Sequence, residues 1–308
     1  MKNFKWEKLG KILSPNENIS WMKTWIGASF VRRVENSSIF EIFVTGRDDN
    51  NRSKIGKVFV DFNQNFNVVS IDKEPVFSLG DLGAFDENGV SYPYIFSWKN
   101  NNYMLYVGWR PTVLTPFTNG LGLAKELNDG KFERVSKAPI LPLNNDDYLS
   151  IGSSCVFVEI DKIRLYYTTF LKWGKENDHK HYYLIKYAES TDGVNWNRNN
   201  HICINFIHEW EYSICRPTVV KIGDLYNMWF SYRGDRGKGY YIGYAYSQDG
   251  INWIRNDENA GITLSKEGWD SEMICYCHVF KYNDDIFMIY CGNEYGRDGL
   301  GIAKMVKI

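Results

Sequence analysis

The strongest constraint on this chain is a pattern that occurs five times. Five strand-like runs rich in aromatic and aliphatic residues read Phe40-Glu-Ile-Phe-Val-Thr-Gly, Met104-Leu-Tyr-Val-Gly, Arg164-Leu-Tyr-Tyr-Thr, Asn227-Met-Trp-Phe-Ser and Met288-Ile-Tyr-Cys-Gly. Aligned on Ile42, Leu105, Leu165, Met228 and Ile289, they fall 63, 60, 63 and 61 residues apart. A shorter β-like run precedes each one, beginning at Ala28, Tyr92, Ser153, Arg216 and Tyr276. A third run follows each, as Ile55-Gly-Lys-Val, Leu121-Gly-Leu-Ala, Ile185-Lys-Tyr-Ala, Ile242-Gly-Tyr-Ala and Leu300-Gly-Ile-Ala. A unit repeated at such a period buries its apolar face by stacking on its neighbours.

Two third runs continue into Ser190-Thr-Asp-Gly-Val-Asn-Trp and Ser247-Gln-Asp-Gly-Ile-Asn-Trp. Asp-Gly between alternating runs predicts a two-residue hairpin, because Gly tolerates the positive φ of a type I′ turn. Trp196 and Trp253 would then open a fourth, outer strand. Four antiparallel strands repeated radially predict an all-β, five-bladed β-propeller. The blades are expected near 20–75, 86–140, 147–204, 211–264 and 270–308. Length alone, at roughly 150 residues per domain, would suggest about two domains; the repeat uses the whole chain, so one domain over 1–308 is expected. The fifth unit ends after its third strand. Phe4-Lys-Trp-Glu-Lys-Leu-Gly resembles the missing fourth one, so residues 4–12 are expected to complete blade five and close the ring.

The chain carries 18 Phe, 11 Trp and 21 Tyr, with 36 Lys and Arg against 37 Asp and Glu. So many aromatics at near-zero net charge exclude disorder, and the balance gives no argument for nucleic acid. No window approaches the ~18 apolar residues of a membrane span. The N-terminal run lacks the apolar core of a secretory signal, which leads to an expectation of a cytoplasmic protein. Six cysteines lie mostly in apolar runs, and Cys275 and Cys277 lack a second ligand pair at zinc spacing, so core packing rather than metal binding is expected. No phosphate loop, dinucleotide fingerprint or Ser-His-Asp constellation occurs, and no cofactor is expected.

In a propeller the starts of the first strands and the ends of the second open on one face. That places Trp25, Asp86, Glu87, Asp147, Arg216, Asp270, Glu272 and Tyr276 near Arg47, Arg110 and Arg233, with Asn293 and Arg297 at the fifth end. His278 follows Tyr276 by two and shares its side of the strand. His179 and His181 are read as part of a lysine-rich loop, and Asp192 and Asp249 as turn residues.

The Ser-x-Asp-Gly-x-x-Trp hairpins in a five-fold repeat resemble the furanosidase, fructosidase and β-mannoside phosphorylase clans of five-bladed, glycosidase-like propellers. Leu82-Gly-Ala-Phe-Asp-Glu-Asn-Gly-Val, Arg216-Pro-Thr-Val-Val, Met228-Trp-Phe-Ser-Tyr-Arg-Gly and Gly268-Trp-Asp-Ser-Glu-Met-Ile-Cys-Tyr are closest to a bacterial subgroup associated with surface-polysaccharide gene clusters. The resemblance implies a carbohydrate-active enzyme. It also exposes a departure: those clans carry a carboxylate just before the inner-strand proline, where this chain has Ala28, Tyr92, Ser153, Arg216 and Tyr276. Glycoside hydrolysis needs two carboxylates across the scissile bond, and they would have to come from Asp86 or Glu87, Asp147, Asp270 or Glu272.

The arginines point to an anionic ligand, because their planar forks match phosphate and carboxylate oxygens. The expectation is therefore an enzyme that transfers or cleaves a glycosyl unit from a sugar-phosphate-like donor to a glycan acceptor. Glu272 and Asp86 or Glu87 would act as acid and base; Arg216, Arg110, Arg233 and Arg47, with Asp147 and His278 nearby, would form the binding pocket. Tyr276 and Trp25 would orient the sugar. A plain glycoside hydrolase and a noncatalytic glycan-binding propeller are the alternatives.

Overall fold

The computed structural model describes residues 4–175, 180–237 and 239–306, a region that excludes His179. It is nearly all β. β1 (Trp6–Leu13) comes first, followed by consecutive groups of strands. The first group is β2 (Trp25–Arg33), β3 (Ile39–Arg47), β4 (Ser53–Asp61) and β5 (Asn67–Ile71). The second is β6 (Gly89–Trp98), β7 (Asn101–Arg110), β8 (Thr118–Glu126) and β9 (Phe132–Arg134). The third is β10 (Ile151–Val158), β11 (Ile163–Trp173), β12 (His181–Ser190) and β13 (Asn197–Ile204). The fourth is β14 (Glu211–Ile222), β15 (Leu225–Gly234), β16 (Tyr241–Ser247) and β17 (Ile254–Arg255), and the last is β18 (Cys275–Tyr282), β19 (Asp285–Cys291) and β20 (Leu300–Met305). A 3-10 turn at Asp257–Ala260 and a helical turn at Asn293–Gly296 are the other elements among the described residues.

Within each group successive strands pair antiparallel, as alternation of aromatic and β-branched residues favours. The N-terminal segment pairs with the last group. β1 runs antiparallel to β20, from Trp6 opposite Met305 to Leu13 opposite Leu300, and occupies the fourth position of the last group. Single parallel bridges, Ser53 to Gly89 and Tyr183 to Ser213, join the first group to the second and the third to the fourth. Hydrogen bonding therefore gives two eight-stranded sheets and one of four. The first strands neighbour one another in turn: β2 beside β6, β6 beside β10, β10 beside β14, β14 beside β18 and β18 beside β2. No helix among the described residues is long and apolar enough to cross a membrane. All six cysteines are buried free thiols.

The Asp-Gly segments correct one expectation. They are six-residue loops between β12 and β13 and between β16 and β17, not two-residue hairpins. Asp192 accepts from the backbone N–H groups of Val194 and Asn195 and from Ser190 Oγ; Asp249 repeats this with Ile251, Asn252 and Ser247. The carboxylate organises the turn and makes a longer loop cheaper than a tight one. These bonds to the charged form hold both aspartates well below the usual carboxylate range.

Every first strand is bulged at the same place. The register slips between Gly27 and Ser29, Ser91 and Tyr94, Ile151 and Ser154, Cys215 and Thr218, and Cys275 and His278. Pro93 and Pro217 fall inside two of these bulges, where a missing N–H breaks no ladder bond. Tyr92, Arg216 and Tyr276 take φ of 55°, 49° and 54° there, at a cost of about 1–3 kcal/mol each. A hydroxyl of an adjacent strand fixes each bent amide: Tyr92 N–H donates to Thr45 Oγ1 (3.0 Å), Arg216 N–H to Ser153 Oγ (2.9 Å) and Tyr276 N–H to Ser231 Oγ (2.8 Å). A bulge re-aims the side chains beside it.

Candidate active site

The bulges and the ends of the second strands border one cavity of about 530 Å³. Ala28, Tyr92, Ser153 and Tyr276 line it from the bulges, together with Cys215. Arg47, Trp109, Phe170 and Arg233 line it from β3, β7, β11 and β15, and Glu294 and Tyr295 from the turn after β19. The predicted face is therefore the face that carries the cavity.

Two of the predicted arginines reach it. The Arg47 guanidinium lies 5.6 Å from the ring centres of both Trp25 and Trp109, and its Nη1 donates to Asn51 Oδ1 at 2.7 Å. Arg233 lies 4.6 Å from the Tyr240 ring; its Nη1 donates to Tyr295 Oη (2.8 Å) and its Nη2 to His181 Nε2 (3.1 Å), which makes His181 an Nδ1–H tautomer in this contact. The acidic residues closest in sequence pair elsewhere: Asp48 with Arg52 and Lys54, and Asp235 with Lys180. Among the described residues no carboxylate forms an ion pair with Arg47 or Arg233. Burial pulls the Arg47 guanidinium downward, but an arginine stays charged in water-accessible protein sites.

The rest of the wall is aromatic. Tyr92 and Tyr276 meet edge to face at 5.1 Å, Tyr240 packs 5.5 Å from Tyr276, and the Tyr183 and Tyr240 hydroxyls are hydrogen-bonded. Burial raises the Tyr92, Tyr240 and Tyr276 phenols well above their ordinary value and pushes the Cys215 thiol up to about 12. At neutral pH these groups are uncharged donors and acceptors, not nucleophiles.

The other predicted residues stand elsewhere. Arg110 does not line the cavity, and its Nη1 donates to the Gly83 carbonyl at 3.3 Å, while Glu87 accepts from the Gly83 N–H. Glu272 is exposed and outside the cavity wall; its N–H donates to Asn293 Oδ1. Arg216 and His278 are buried beneath the cavity.

Asp86, Asp147 and Asp270 are also buried, in a repeated clamp. Each accepts from a second-strand tyrosine: Tyr106 at 3.1 Å, Tyr167 at 2.9 Å and Tyr290 at 3.0 Å. Each also holds a cation on the outermost strand of its group: Arg134, Arg198 and Lys8. Asp147 adds Lys186 at 2.9 Å and Thr169 at 2.7 Å. Burial raises the Asp147 pKa, and these bonds outweigh it, so its carboxyl sits below the usual value. The three aspartates are structural in this arrangement and do not face the cavity.

Glu294 is the one acidic residue lining the cavity among the described residues, and its half-exposed carboxylate lies 3.7 Å from Arg297. Glu294 and Tyr295 take φ of 54° and 60°, and the Glu294 carbonyl accepts from Trp25 Nε1. The sequence reading passed over Glu294, Tyr295, Tyr183 and Tyr240, and it put His181 in a lysine-rich loop, whereas His181 opens β12 and lines the cavity. One signal was available: Asn293 was placed at the second-strand end that bears arginine elsewhere, and Glu294 is its neighbour. No group of His, Cys, Asp and Glu suited to a metal occurs among the described residues.

No family model matches the chain. Two curated relatives, the uncharacterized proteins MT1551 and Rv1502 of Mycobacterium tuberculosis, are each 35% identical over 300 residues, covering 97% of this chain and 99% of theirs. Among solved structures, a glycoside hydrolase superposes with a TM-score of 0.74 at 18% identity, over 99% of this chain and 93% of its own. A thermostable family-43 glycoside hydrolase gives 0.69 at 17%, covering 95% and 91%. A structure from the GH130 family of mannoside phosphorylases, which contains hydrolases of β-1,2 mannosidic linkages in Candida mannan, gives 0.72 at 15%, covering 98% and 94%. At these identities the likeness is one of fold.

Proposed function

The chain belongs to the family of the mycobacterial proteins MT1551 and Rv1502, and from its cavity we propose a glycosidase-like, carbohydrate-active enzyme that transfers or cleaves a glycosyl unit bearing an anionic group. The observation that carries this reading is the pair Arg47 and Arg233, lining one aromatic cavity with no carboxylate partner among the described residues. Aromatic faces suit sugar rings, and arginine forks suit phosphate oxygens. The glycoside hydrolases of similar fold support the sugar class.

The scarcity of carboxylates favours a phosphate-linked donor over plain hydrolysis. Hydrolysis places two carboxylates about the scissile bond, and Glu294 alone lines this cavity among the described residues. With a glycosyl phosphate, an acceptor hydroxyl attacks the anomeric carbon, the carbon–oxygen bond to phosphate breaks, and the phosphate leaves with the bonding pair. Arg47 and Arg233 stabilise that charge, and Glu294 takes the acceptor's proton. We read the strand groups as the five blades of one propeller domain closed by β1, a reading supported by the β1–β20 pairing and the cyclic order of first strands. A role in the cytoplasm on precursors of a surface polysaccharide completes the proposal.

The test is a thermal-shift and product assay at fixed ionic strength with inorganic phosphate, sugar 1-phosphates, nucleotide sugars and neutral oligosaccharides. Stabilisation by one phosphorylated class is expected, with the affinity weakened roughly tenfold to a hundredfold in Arg47→Gln and Arg233→Gln, since a charge-assisted bond is worth about 1.5–3 kcal/mol. Glu294→Gln should bind the same ligand and give no product. Stabilisation by neutral glycans alone would overturn the arginine argument. Saturable binding without product, in the wild type as well, would leave a noncatalytic glycan binder, which the shortage of acids also fits.

A further inference from the structure

Beneath the cavity lies a buried charge without a counter-charge. Arg216 is 1% exposed, and the groups that meet its guanidinium are neutral. Nη2 donates to the carbonyls of Ser29 (2.8 Å) and Pro93 (3.0 Å), and Nη1 to that of Tyr92 (3.4 Å). Its Nε has no partner. Other buried cations of this chain are treated differently: Lys186 is paired with Asp147, Arg255 with Glu211 and Arg164 with Glu159.

Two more unpartnered polar atoms lie on other first strands, β2 and β18. Ser29 Oγ, on the residue whose carbonyl already holds Arg216, is fully buried and unbonded, and so is His278 Nδ1. The His278 ring packs 4.4 Å from Phe30 and 5.8 Å from Tyr94. Burial, reinforced by the Arg216 charge, pushes its pKa down to about 3, so it adds no second cation. An isolated buried ion is strongly destabilising, and each unpaired buried polar atom adds to that cost. Carbonyl dipoles lessen that cost without neutralising the charge.

We propose that this core binds one small monovalent anion, a halide such as chloride, against Arg216 Nε and Ser29 Oγ. A single negative charge neutralises a single guanidinium, whereas a phosphate dianion would leave a net charge in the same apolar surroundings. Arg216, Ser29 and His278 do not line the cavity above, so the site is distinct from the proposed glycosyl site and stands or falls separately.

Bromide is the probe. Crystals of the full chain grown or soaked in sodium bromide should show an anomalous peak within hydrogen-bond distance of Arg216 Nε. In solution, replacing sodium gluconate by sodium chloride or bromide at constant ionic strength should raise Tm to a plateau in the wild type and leave Arg216→Met unchanged. The absence of an anomalous peak beside Arg216 Nε in bromide-soaked crystals overturns the proposal, as does an equal halide response in Arg216→Met. Should that variant fail to fold, the wild-type anomalous map decides alone.

Discussion

Asp86, Asp147 and Asp270 each stand 20 residues before the tyrosine that donates to them. Read singly, each was an acid near a channel mouth; read together, the shared interval marks a structural device repeated with the fold. Removing the charge of one leaves buried cations without a partner. Asp147→Asn, which strands Lys186 and Arg198, should therefore lower the unfolding free energy by about 3–5 kcal/mol in a urea titration. The pH dependence has a definite sign. The Asp147 carboxyl is held below its unfolded value near 3.9, so its contribution is complete above about pH 4 and is lost as pH falls through the folded value. Acid titration of the wild type should show that loss, and Asp147→Asn should lack it.

Among the elements, the first strands were legible in the proline and aromatic signature at their starts, but their bulges were not. A bulge depends on which amide meets which hydroxyl on another strand, and Thr45 lies 47 residues from Tyr92, Ser153 lies 63 from Arg216. Arg216, aligned with cavity residues by sequence and bulged as they are, is buried outside the cavity wall. The Asp-Gly loops were misread for a local reason: the carboxylate closes a longer turn than the dipeptide alone implies. The glycines near the ends of β3, β7 and β15 (Gly46, Gly108 and Gly234) and following β19 (Gly292) have a packing cause. A Cβ on Gly292 would lie 2.3 Å from the Trp269 carbonyl oxygen and 2.4 Å from its ring, and one on Gly46 would meet Trp21 in the same way. Gly292→Val should cost at least the ~1–3 kcal/mol of overpacking, seen as a lowered Tm with the bromide response at Arg216 retained.

At the scale of the molecule, the five-fold period was the clearest message in the sequence, because burying an apolar strand face repeats with the unit. The site was less legible, since its residues come from every group and from turns that carry no period. Glu294 is the extreme case, an acid presented by a left-handed turn. The position of β1 makes a further demand on the whole chain. Without it, β20 becomes a bare edge with unpaired backbone groups, a template for association. A chain lacking residues 1–13 should elute as oligomers in size-exclusion chromatography and melt well below the full chain.

That same pairing fixes how the molecule would yield to a pulling force. Trp6 lies opposite Met305, so the two described ends of the chain emerge side by side at one end of an antiparallel pair. Tension between them loads the ladder bonds one after another, as a zipper opens, and not all at once. The seam between β1 and β20 is thus mechanically the weakest line in the fold, however stable it is at equilibrium.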